Sequence, residues 1–196
     1  MIGRATALAL LALQFSRVER VTRHEDGERP ETDSDHSIML ALVACDLAPP
    51  SLRPGRIAEF SVVHDLVEVY AGDAQTLTID AAGRVEKAER ERAAFARLRA
   101  ELGETSWVIV TLACYEAQIE PEARYVRLMD KVLPKLTHLF NRCVAAKKLT
   151  DLQGFREAHE AQHRKLVAEY GDEPWALETL ALLHEAMVAS ELAWGE

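Results

Sequence analysis

The stretch "SVVHDLVEVYAGD", residues 61–73, sets His64, Asp65, Glu68 and Asp73 among apolar side chains. On a helix, Ile57, Phe60, Ser61, His64, Val67, Glu68 and Ala71 recur in three- and four-residue steps along one face, and His64 and Glu68 meet at i, i+4. Burying an unpaired carboxylate is costly, so three acids and an imidazole in an apolar stretch point to a compensating cation. A hydrogen-bonded core histidine explains His64 taken alone. A solvated helix face explains acids, but not the apolar residues on both sides of them.

One helix cannot close a metal shell. "DSDHSIMLALVACDLA" offers His36 at the first turn of an apolar helix, and "VRLMDKVLPKL" offers Asp130 inside another. Two neutral imidazoles and two carboxylates suit a borderline or hard divalent ion, with positions left for water and a substrate oxygen. Taken singly, His36 is open between ligation and helix-start hydrogen bonding, and Asp130 beside Lys131 is open to simple ion pairing. A rival constellation is "HEAQH" at 159–163, two histidines at i, i+4 with a glutamate between, as a zinc peptidase needs. Its charged flanks, with Phe155, His159, Gln162, Leu166 and Tyr170 on one face, read instead as an ordinary amphipathic helix. A third ligand at Glu178 or Glu185 would be required.

The order His36, His64-Asp65, Asp130 across separate helices resembles the HD-domain metal-dependent phosphohydrolases, over about residues 15–145. "HDLVEVYAGD" is similar to the "HDxxExxxGD" signature of the branch that includes bacterial 5′-deoxynucleotidases, and "RPETDSDHS" to the segment carrying its first metal histidine. The resemblance implies an all-α, single-domain helical bundle with a central metal site. It implies one divalent ion (Mn, Co, Mg, Zn, Fe or Ni) held by His36, His64, Asp65 and Asp130, with Glu68 and Asp73 as additional acids required for activity. It also implies a catalytic, phosphate-binding arginine before the first histidine: aligning "VERVTR" puts it at Arg23, with Arg20 the second choice. His24 follows Arg23, where the branch has a tryptophan framing the nucleoside. Lys131 is a candidate second contact to substrate, or an ion-pair partner.

The activity so implied is hydrolysis of a phosphoester, a (deoxy)nucleoside 5′-monophosphate first, by metal-activated water. Glu68 or Asp73 would orient or deprotonate that water, or protonate the leaving alkoxide. Alternatives are a nucleoside triphosphate or another small phosphoester, and the peptidase reading of "HEAQH". The family inclines to a homodimer.

The elements that must position these residues read as helices almost throughout. The first runs to about Glu19 or Val21, and a polar loop, "RHEDGERPETD", follows. Asp33 or Ser34 can cap a second helix at about 35–47, and a third runs from about Gly55 to Ala71. Residues 73–83 form an irregular connection. Helices at about 85–102, 105–117 and 121–147 follow, the last with a kink expected at Pro134. Two more span 150–196 and close the core or meet a partner subunit, through an apolar stripe that includes Trp175, Leu177, Leu180, Leu183 and Trp194.

Composition sets the outer bounds. A chain of 196 residues, 48% hydrophobic, is long enough for one domain with a real core, spanning 1–196. A net charge of −9 disfavours a nucleic-acid polymer or membrane surface as partner. Cys45, Cys114 and Cys143 are odd in number and widely spaced, as in a reducing cytoplasm. The N-terminal "MIGRATALALLALQF" imitates a signal peptide, but it lacks a small-x-small cleavage site and reads as a first core helix.

Overall fold

The computed structural model describes residues 1–74 and 79–195. Helix α1 (Ile2–Phe15) leads into a two-stranded antiparallel hairpin, β1 (Glu19–Arg23) and β2 (Pro30–Thr32). Then follow α2 (Asp33–Asp46), α3 (Pro54–Val63), the one-turn α4 (Glu68–Ala71), α5 (Ala81–Leu102), α6 (Trp107–Ala117), α7 (Pro121–Phe140), α8 (Leu152–Tyr170) and α9 (Leu177–Ala193). The fold is all-α, with the hairpin as a small addition. Among the described residues no helix is long and apolar enough to cross a membrane.

Helix α7 is the axis of the core. Its Tyr125, Val126, Leu128, Met129, Val132 and Leu133 are completely buried, against α2, α3 and α9. The Tyr125 hydroxyl donates to the Ala44 carbonyl of α2 at 3.1 Å, so even the polar end of this ring is satisfied. Of the expected terminal stripe, Trp175, Leu180 and Leu183 are buried in this core, Trp194 packs on Phe155, and Leu177 is exposed. The chain continues as helix through Pro134 up to Phe140 and stops short of 147. Beyond it Arg142 and Cys143 take left-handed φ angles of 54° and 58°, conformations no helix can contain.

Two departures from the sequence reading bear on the site. The first helix ends at Phe15, and Glu19–Arg23 is a strand. Glu19 pairs with Thr32 and Arg23 with Pro30. The turn contains Gly27 at φ 74°, and the Asp26 carboxylate accepts from the Glu28 and Arg29 amides. The expected single helix from Gly55 to Ala71 is broken. After Val63 the amides of Leu66, Glu68 and Tyr70 donate to carbonyls three residues back (3.1, 2.8 and 3.1 Å). This tighter winding lies across residues 64–68.

Candidate metal centre

Each donor reaches the cluster on its own element. His36 sits in the first turn of α2, whose start is fixed by a reciprocal cap. The Thr32 hydroxyl accepts from the Asp35 amide (3.2 Å), and the Asp35 carboxylate accepts from the Thr32 amide (3.0 Å). Thr32, rather than Asp33 or Ser34, is the cap. That leaves the buried Asp33 carboxylate free to accept from Arg20 at 3.0 Å. His64 and Asp65 come from the tightened turn after α3, and Asp130 from the middle of α7.

One donor atom from each of His36, His64, Asp65 and Asp130 lies within 4.8 Å of all the others. Donors at 2.0–2.2 Å from a common ion stand at most about 4.4 Å apart, so the cluster matches a single coordination sphere with little adjustment. The hydrogen bonds around the rings give a second indication. The Ser61 carbonyl can only accept, so His64 Nδ1, at 2.9 Å, carries the proton. His64 Nε2 then presents a lone pair 2.9 Å from Asp65 Oδ2 and 3.9 Å from Asp130 Oδ1; it is buried and makes no hydrogen bond among the described residues. Likewise His36 Nδ1 donates to Glu31 Oε1 (3.0 Å), while its Nε2 faces Asp130 Oδ1 at 2.8 Å. Imidazole lone pairs aimed at carboxylate oxygens repel unless a positive charge lies between them. A proton does this for His36 when no ion is bound. Burial opposes its charge, yet the bonds to Asp130 and Glu31 outweigh that and raise its pKa to about 9. A divalent ion would substitute for that proton and would also give the orphaned nitrogen of His64 a partner. The residues fit such an ion.

Beside the four donors runs a band of charge. The Arg20 guanidinium donates to Asp65 Oδ2 (2.8 Å) and Asp33 Oδ1, and lies 3.6 Å from Glu31 and 4.0 Å from Glu68. Burial works against its charge, but Asp65, Asp130, Asp73 and Glu68 hold the proton on it. Glu68 is buried and accepts from Lys87 of α5 at 3.0 Å. Burial, then Asp65, raise its pKa to about 10 against the pull of Lys87. Burial and Asp65 likewise push Asp33 up to about 6 despite Arg20. Asp65 and Asp130 go the other way: burial would raise both, but the Arg20 guanidinium pulls Asp65 down, and Lys131 and His36 hold Asp130 down. Asp73, just past the positive-φ Gly72, is close enough to raise the pKa of both Asp33 and Glu68.

Arg23, the first choice for the phosphate-binding arginine, is not brought in. Its guanidinium donates to the Glu28 carbonyl (3.1 Å) at the hairpin tip. Arg20, three residues earlier on the same irregular strand, instead directs its guanidinium to Asp65 and Asp33 (2.8 and 3.0 Å). Lys131 pairs with Asp130 Oδ2 at 2.6 Å and is 40% exposed. Glu31, Asp33 and Lys87 went unrecognised as members of the site. Glu31 had a usable signal, an acid in the segment just ahead of a candidate ligating histidine; Lys87 is one charge among many in its helix.

The "HEAQH" segment forms no comparable group. Among the described residues, neither His159 nor His163 belongs to a cluster of three or more metal-ligating side chains. His159 is buried, its Nδ1 bonded to Glu191 of α9 (3.1 Å) and its ring 4.1 Å from that of Phe155, while His163 stacks on His184 at 5.2 Å. The motif forms an amphipathic seam between α8 and α9.

Comparisons with known proteins agree with the geometry. A family model described as HD domain matches residues 13–170. The human 5′-deoxynucleotidase HDDC2 is 31% identical over 140 residues, 66% of this chain and 65% of the relative. The bovine 5′-deoxynucleotidase HDDC2 is 30% identical over 138 residues, 67% of this chain, and the match spans 66% of that protein's length. The crystal structure of a predicted metal-dependent phosphohydrolase from Magnetospirillum magnetotacticum MS-1 superposes with a TM-score of 0.66. It is 24% identical, covers 96% of this chain and 97% of its own, and thus shares the fold. A family match over most of the chain, on a fold that gathers two histidines and two aspartates around one point, makes this protein a member of the HD domain family.

Proposed function

We propose that the protein is a metal-dependent phosphohydrolase acting on a small phosphorylated substrate, a (deoxy)nucleoside 5′-monophosphate before any other. The observation that carries this reading is the convergence of His36, His64, Asp65 and Asp130, with the buried Nε2 of His64 lacking a hydrogen-bond partner among the described residues. These four residues hold the ion. When bound there, a divalent cation supplies Lewis acidity toward a phosphoryl oxygen and acidifies water. Arg20 takes charge from the equatorial phosphoryl oxygens through its planar fork, a role its multiple carboxylate contacts support. Glu68 or Asp73 orients the attacking water, takes its proton or protonates the leaving alkoxide. Lys131 keeps to its pairing with Asp130, and Arg23 to the hairpin. The names of the vertebrate relatives support a deoxynucleoside monophosphate as substrate.

We propose further that residues 1–196 form one domain, that two copies pair, and that the protein works in the cytoplasm. The packing of α9 on α7 supports the first, exposed Ile38 and Leu42 on α2 the second, and three free cysteines the third. A net charge of −9 supports a small substrate over a nucleic-acid polymer. Phosphate release is measured across ribo- and deoxynucleoside monophosphates and triphosphates with Mn, Co, Mg and Zn in turn. Turnover is expected with deoxynucleoside monophosphates. Release from triphosphates alone would move the substrate class, and no release from any combination would sink the reading. Light scattering at twice the chain mass is expected for the dimer.

A further inference from the structure

The first half of α5 is mostly exposed, yet one stripe of this helix turns inward. Ala94 and Leu98 are its buried apolar members; one and two turns earlier the same stripe carries Glu91 and Lys87. Charged residues therefore stand where the helix pattern would place core side chains. Lys87 Nζ lies 3.0 Å from Glu68 Oε1 and 2.7 Å from Glu91 Oε1, with only 22% of its side chain exposed. The i, i+4 pairing with Glu91 fixes the lysine rotamer, and the lysine in turn grips one oxygen of Glu68. Among the described residues no other side chain hydrogen-bonds that carboxylate. Glu68 Oε2 is buried without a partner, 4.0 Å from Arg20.

We propose that Lys87 is a positioning residue for Glu68, an assignment that rests on the phosphohydrolase reading above. It anchors Oε1 and leaves Oε2 bare toward Arg20 and the cluster. Without this anchor the carboxylate rotates onto the Arg20 guanidinium and loses its aim. Lys87 acts through Glu68 and does not itself touch substrate.

The test is a double-mutant cycle on the ion-loaded full chain, read as kcat and KM for the best substrate of the phosphate-release screen. Lys87→Met is expected to lower kcat by roughly 10- to 100-fold, the range for a displaced catalytic group, with KM little changed. Lys87→Arg should restore most of that loss. In a Glu68→Gln background, where the lysine has no carboxylate to anchor, the lysine substitution should cost nothing further. Thermal melts establish that each variant is folded. Unchanged kcat in folded Lys87→Met, a loss confined to KM, or an equal loss in the Glu68→Gln background would each overturn the assignment while leaving the phosphohydrolase reading intact. A wild-type chain that releases no phosphate overturns both.

Discussion

Two regions of this molecule carry a histidine pair flanked by acids, and they differ in what the free ring nitrogens face. At the α2, α3 and α7 end, Nδ1 of His36 is tied to the Glu31 carboxylate and Nδ1 of His64 to the Ser61 carbonyl, so both Nε2 atoms are directed at the carboxylates of Asp65 and Asp130. At the α8–α9 end, His159 Nδ1 is tied to Glu191 and its ring packs against Phe155, leaving a buried Nε2 with no partner among the described residues but outside any cluster of ligating side chains, and the His163 ring lies 5.2 Å from that of His184. The "HEAQH" spacing is a better match to a zinc-peptidase motif than any two of His36, His64, Asp65 and Asp130. Spacing along one helix supplies at most two ligands. Closure of a coordination sphere needs other elements to bring the rest.

This contrast is most exposed to test by removing one member from each region. Asp65→Ala should abolish ion-dependent turnover and weaken ion binding by calorimetry while circular dichroism stays helical; His163→Ala should leave turnover within about two-fold, as for a surface substitution. Turnover that survives the first and vanishes in the second would invert the assignment. Next in size is the hairpin. Arg20→Met should cost roughly 10²- to 10³-fold in kcat/KM, the range for losing a transition-state charge contact, whereas Arg23→Met should cost little.

The two histidine regions should also respond to pH in opposite senses in the chelated, ion-free chain. His36, raised from 6.5 to about 9, contributes stability that is full below 6.5 and is lost as pH rises through 9. His138 and His159, lowered by burial to about 4 and about 3, favour the fold while neutral, and that contribution is lost as pH falls below 6.5 toward those values. Melting midpoints from pH 4 to pH 10 should therefore fall at both ends. His36→Gln should flatten only the alkaline limb and His159→Gln only the acid limb. Added divalent ion should reverse the alkaline fall, since ligation needs neutral imidazoles. The smallest effect belongs to Lys131→Met. Its half-exposed pair with Asp130 is worth about 0.2–1 kcal/mol, so turnover should change only a few-fold.

Much of the fold was legible because helix periodicity and Pro and Gly punctuation are local. The helices at 33–46, 81–102, 107–117, 152–170 and 177–193 fall where those signals put them, within a few residues, whereas the first ends at Phe15, short of the expected 19–21. The hairpin was not legible. Five residues of β1 pair with three of β2 through hydrogen bonds that no one-dimensional pattern displays, and so Arg23 was preferred to Arg20. The break after Val63 was hidden for a related reason. An α-helix and a tighter turn have nearly the same composition, and only the packing against α2 and α7 separates them.

By itself the sequence determined which chemistry was at hand: a histidine-aspartate pair and further acids set in apolar helices, whose burial only a cation can compensate. Tertiary structure decided the membership of the site. It brought Arg20 onto Asp65 through the hairpin, supplied Lys87 from a helix whose own charge pattern does not single it out, and turned "HEAQH" into a packing seam. The physical reason is that residue type and helical phase are properties of a segment. Which lone pair faces which carboxylate, across 94 residues between His36 and Asp130, exists only once the helices have packed.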